Sequence, residues 1–66
     1  GRARNMAVIV QDVAAVRSGT METSTKLFEL HAGTRVQVKA QKNGYLKIRL
    51  AKGRIGWVKL GDAKVI

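Results

Sequence analysis

An Asn-Gly pair at Asn43-Gly44 separates two runs that alternate apolar and polar residues, and this constrains the chain more than anything else in it. In Thr34 to Ala40, Val36, Val38 and Ala40 share one face while Arg35, Gln37 and Lys39 share the other, the period of a strand with one wet side. After the turn at Lys42-Asn43-Gly44, Leu46, Ile48 and Leu50 are expected to face inward and Tyr45, Lys47 and Arg49 outward. Asn-Gly is the pair that best tolerates the positive φ of a tight hairpin. A second turn at Ala51-Lys52-Gly53 leads into Arg54 to Leu60. There Val58 and Leu60 alternate with Trp57 and Lys59, an arrangement that aims Trp57 away from the main core.

The remaining segments fit the same architecture. Met6 to Val10 is a β-branched run and the expected first strand, and Ala14 to Arg17 is a second short extended piece. Ser18 to Lys26 is the longest polar stretch and reads as an excursion loop, the kind of segment on which binding residues often sit. Leu27 to Leu30 is expected to be extended and half buried, with Phe28 in the core; Ala32-Gly33 then turns the chain, and Ala63 to Ile66 closes it as a last strand. Gly33, Gly44 and Gly53 are turn glycines, whereas Gly56 is expected to admit a neighbouring strand or ring. Residues 1 to 5 are polar and unpatterned and read as a disordered leader or linker, leaving 6–66 as one domain. The reading is all-β: a small barrel of about five to seven short antiparallel strands.

At 66 residues the chain is near the lower limit for a core without staples, and it has no cysteine to supply one. A single histidine, His31, and the scattered carboxylates Asp12, Glu22, Glu29 and Asp62 offer little from which to build a metal centre or an acid–base pair. No catalysis, metal or cofactor is expected. No apolar run approaches the roughly 20 residues of a membrane span. With Gly1 in place of methionine, the chain reads as a domain cut from a longer protein.

Charge is the strongest compositional signal. Thirteen Lys plus Arg against four Asp plus Glu give a formal net charge of +9. The outward positions Arg35, Lys39, Lys47, Arg49, Arg54 and Lys59 would form one basic patch if the hairpins pair as read, suited to phosphate, anionic polymers or acidic protein surfaces. The alternative is a solvated outer face whose lysines keep strand edges from pairing. Modules that bind nucleic acid on small barrels interleave aromatic rings with the cations, and here Tyr45 and Trp57 are the only rings expected outside. Electrostatic nucleic-acid binding is therefore the second hypothesis. As flat amphipathic rings, Tyr45 and Trp57 are the leading candidates for a ligand surface, against the alternative that both seal one end of the barrel.

Two segments carry a family resemblance. Asn43-Gly44-Tyr45-Leu46-Lys47-Ile48 followed by Gly53-Arg54-Ile55-Gly56-Trp57-Val58 resembles the paired signature of bacterial SH3-like (SH3b) domains. Ahead of it, Leu30 to Val38 resembles the leucine, glycine and paired valine that open the family's central sheet, and the likeness extends from Ala7 to Ile66. Lys26 to Thr34 is also similar to the SH3 region of exported tetratricopeptide-repeat proteins of the BatE-like aerotolerance group, which would put Arg2 and Arg4 in a juxtamembrane linker. Tyr45 departs from the family's usual tryptophan, and the loop Ser18 to Thr25 lacks a proline often found there. With few aromatics and only Glu22 in that loop, the chain is not suited to proline-rich PxxP ligands. The resemblance implies a non-catalytic module of a bacterial envelope protein. It would bind a cell-wall peptide, a peptidoglycan component or a partner protein through Tyr45, Trp57, Lys47, Arg49 and Arg54, and the isolated domain would be a monomer.

Overall fold

The computed structural model describes residues 5–66, and the expected leader, with Arg2 and Arg4, lies outside them except for Asn5. The backbone carbonyl of Asn5 accepts a hydrogen bond from the Val38 amide. Seven strands follow: β1 (Met6–Ile9), β2 (Val13–Arg17), β3 (Lys26–His31), β4 (Arg35–Lys42), β5 (Tyr45–Arg49), β6 (Ile55–Lys59) and β7 (Ala63–Val65), with a single 3-10 turn at Leu60–Asp62 before β7. They form one antiparallel sheet in the order β3-β2-β6-β5-β4-β1-β7.

The sheet curls around one core. Ala7 and Ile9 of β1, Ala14 and Val16 of β2, Leu30 of β3, Val36 of β4, Leu46 and Ile48 of β5 and Val58 of β6 pack in one buried cluster. Strands near opposite ends of the sheet meet there only because the sheet bends back on itself. The turn after β3 hooks this bend to β1: the Ile9 amide donates to the Thr34 carbonyl, and the Gly33 amide to that of Ile9. Each large aliphatic side chain so buried contributes about 1.5–3 kcal/mol before the entropy of ordering it is counted.

Turn chemistry sets the register. Asn43 and Gly44 both adopt positive φ, 52° and 78°, joining β4 and β5 by a two-residue hairpin in which Lys42 opposes Tyr45. Gly56 makes the closest strand approach. A Cβ there would fall 2.3 Å from Val16 Cγ1 and 3.2 Å from the Arg17 carbonyl oxygen, so only glycine lets β2 lie against β6.

Several sequence expectations change. β4 runs on to Lys42, and its register shifts between Val38 and Ala40, so that Val38 opposes Ile48 and Ala40 opposes Lys47. The extra residue, Lys39, moves Ala40 to the outer face, where it is exposed. Leu60 is 41% exposed because β6 ends at Lys59 and the chain turns. Leu27, at 49%, is more open than expected, while Phe28 and Leu50 are partly buried against the core. Tyr45 is not an exposed outward ring: it retains 7% exposure.

Candidate functional site

Strand alternation and register assemble the outer face of β5 and β6. Tyr45, Lys47 and Arg49 lie on one side of β5, opposed across the ladder by Lys59, Trp57 and Ile55. From β2, Arg17 opposes Trp57 on its other flank. The half-buried Trp57 thus stands between Lys47 and Arg17 in one row across β5, β6 and β2.

Tyr45 belongs to the same face by alternation yet is buried. The loop between β2 and β3 folds back over this end of the sheet and is fastened on either side of it. Asn43 Nδ2 donates to Thr20 Oγ1 at 3.2 Å, and Lys59 Nζ pairs with Glu22 Oε2 at 2.9 Å. Within the loop, Arg17 donates to the Ser24 carbonyl at 3.0 Å, and the Ser18 amide donates to the Thr25 carbonyl. The Tyr45 hydroxyl is buried with no hydrogen-bond partner among the described residues. An unmade bond of this kind costs about 1–3 kcal/mol, so its retention needs a reason.

The electrostatics follow the pairing. The hydrogen bond to Lys59, then its charge, holds the Glu22 carboxyl below the ordinary carboxylate value, with Arg17 adding to the effect. Lys59 is raised in return, chiefly by its hydrogen bond to Glu22 and then by that carboxylate's charge, with Tyr45 and Asp62 contributing less. Glu29 is lowered by Lys26, which it meets at 2.8 Å. Among the described residues, no ion pair engages Lys47, Arg49 or Arg35.

Of the side chains singled out from the sequence, Tyr45, Trp57, Lys47 and Arg49 share this face. Arg54 does not. It continues the row of Gly56 and Val58, whose side of β6 is buried, and its guanidinium lies 3.7 Å from the centroid of the Phe28 ring. The basic patch is likewise divided: Lys59 is held by Glu22 and Lys39 lies in the bulge of β4. Thr20, Asn43 and Glu22, which fasten the loop, were not marked as a group by the sequence. A lone carboxylate among many cations is a signal, but it does not say which cation it meets. His31 Nδ1 lies 3.0 Å from the Asp12 carbonyl oxygen, and no cluster of potential metal ligands occurs among the described residues.

This topology, with its excursion loop, tight hairpins and short 3-10 turn before the last strand, agrees with a family comparison: the model of the bacterial SH3 domain matches residues 12–63. The chain belongs to the bacterial SH3 domain family. The match takes in the loop, both hairpins and the Gly53 to Val58 segment. A comparison with curated proteins gave no match. As a bacterial SH3 domain the chain is of a kind that generally serves in binding rather than catalysis, and its ligand is a separate question.

Proposed function

We propose that this bacterial SH3 domain is a non-catalytic binding module of a larger envelope protein. It recognises a cell-wall peptide or a partner protein through Tyr45 and Trp57, with Lys47 and Arg49 beside them. The observation that carries the reading is the Tyr45 hydroxyl, buried without a partner among the described residues, at the edge of a face that also presents a half-buried indole and cations that no ion pair engages among those residues. A buried donor left unsatisfied is a position where a ligand acceptor gains a full hydrogen bond on entering. The loop Ser18 to Thr25 lies beside it and supplies one wall of the site.

Arg54 is assigned to the fold rather than to the ligand, because its guanidinium is engaged with Phe28. Placement in the envelope is supported by the kind of domain this is, since bacterial SH3 domains commonly serve there. Attachment to a tetratricopeptide-repeat protein rests only on the likeness of Lys26 to Thr34 to that group.

The test is an amide-shift titration of the domain with muropeptides, followed by a DNA duplex and a single strand at low and moderate salt. Saturable shifts at Tyr45 and Trp57 with muropeptide, lost in Trp57→Ala with the fold intact, are expected. Diffuse shifts over lysines and arginines with DNA alone, weakening steeply with salt, would replace this reading by the polyanion one. Silence with every probe would leave a docking domain whose partner is protein.

A further inference from the structure

A concave feature lies at the far end of β5 from Tyr45. It is a cleft of about 490 Å³ lined by Met6, Arg35, Gln37, Arg49, Leu50 and Ala51. The register explains how these residues meet: Met6 opposes Gln37 and Gln37 opposes Arg49, a single row across β1, β4 and β5. Arg35 stands two residues along β4 on the same face, and Leu50 and Ala51 close the cleft where the chain turns toward β6. Tyr45 is four residues from Arg49, about 13 Å along the strand, so the cleft is separate from the Tyr45 position.

We propose that this cleft binds the terminal carboxylate of a peptide that ends in a small apolar residue. Two arginines, Arg35 and Arg49, line one cavity, and neither is in an ion pair among the described residues, while Glu22 and Glu29 are engaged by Lys59 and Lys26. Two like charges with no counter-charge make a local field that favours an anion. The planar guanidinium fork matches a carboxylate in bidentate fashion, and the Gln37 amide adds a neutral donor. Met6, Leu50 and Ala51 supply an apolar wall that suits the methyl or short aliphatic side chain next to such a carboxylate. The volume is in the range of sites that take small ligands, roughly 300–1,000 Å³. A nucleic-acid strand suits the cleft poorly, because no aromatic ring lines it for a base to stack on. Arg49 is shared with the proposed Tyr45 and Trp57 face, but the cleft does not depend on that reading, and Arg35 belongs to the cleft alone.

The experiment titrates the labelled chain with acetyl-Ala-Ala, with its C-terminal amide and with inorganic phosphate, each at low and moderate salt. The free acid is expected to give saturable amide shifts at Gln37, Arg49, Leu50 and Ala51, with the amide and phosphate at least about tenfold weaker. Arg35→Gln, at an exposed position that the core does not use, is expected to weaken the free acid about tenfold while the rest of the spectrum is unchanged. Arg35→Lys, which keeps the charge but not the fork, should recover only part of that loss. Equal binding of acid and amide, phosphate as tight as the acid, or no saturable shift at these amides would each overturn the proposal. The Trp57 indole resonance reports the Tyr45 and Trp57 face separately, so a silent indole during muropeptide titration beside a saturating cleft removes that reading and leaves this one.

Discussion

Glu22 in the β2–β3 loop meets Lys59, the last residue of β6, at 2.9 Å, and so closes the loop against the end of the sheet where Tyr45 is buried. Both partners are exposed, so the pair adds little to global stability, but it decides where the loop rests.

The closure should respond to pH in a defined direction. Glu22 has a lowered folded-state pKa, so its contribution is present above the ordinary carboxylate range and is lost as pH falls through the lowered value. Lys59 is raised, so its contribution is present below the ordinary lysine value and is lost as pH rises through the raised one. Amide exchange at Thr20 to Ser24 is expected to be slowest between these limits, relative to its intrinsic rate, and to quicken on acidification below the carboxylate range. Because the Lys26–Glu29 pair titrates in the same acid region, Glu22→Gln isolates the loop: it should remove the acid-side change in protection while the denaturation midpoint stays nearly constant. Unchanged acid sensitivity in that variant would show that the pair does not hold the loop.

Tyr45→Phe separates stability from binding. Removing a buried hydroxyl that has no partner among the described residues should leave the fold unchanged or stabilise it by up to about 3 kcal/mol in urea denaturation. The same change is expected to weaken muropeptide binding several-fold. A clear loss of stability would mean that the hydroxyl is already satisfied in the folded domain.

Gly56→Ala should destabilise the domain by about 1–3 kcal/mol, since the new methyl would meet the Val16 side chain and the Arg17 carbonyl from a neighbouring strand. Gly61→Ala is the matched control: no atom lies within 4 Å of its Cβ position, and its stability should stay within about 0.5 kcal/mol of the parent. Comparable denaturation midpoints for the two variants would rule out strand approach as the reason for glycine at 56.

Arg54→Gln removes the cation from the Phe28 ring and is expected to cost about 0.5–1 kcal/mol. Muropeptide affinity should be unaffected. A several-fold loss of affinity with unchanged stability would return Arg54 to the ligand site.

Much of this protein was legible without coordinates because it is written in local chemistry. Period-2 alternation marked β4 and β5, Asn43-Gly44 marked the hairpin through positive φ, and Gly56 marked a close approach that proved to be β2. Trp57 was rightly aimed off the main core by the same alternation. The errors came where one inserted or distant residue overrides the period. Nothing about Lys39 announces a bulge, yet it moves Ala40 to the other face.

Partner choice lay beyond the sequence for a related reason. By itself the chain determined an all-β sheet, its turns and a basic surface, since these depend on neighbours in sequence. Only the tertiary structure decided that the loop carrying Glu22 returns to Lys59 beside Tyr45, that Arg54 lies over Phe28, and that Arg35 and Arg49 converge on one cleft. With 13 cations available to four carboxylates, charge alone cannot choose among pairings, and the choice is made by distances that exist only once the sheet has curled.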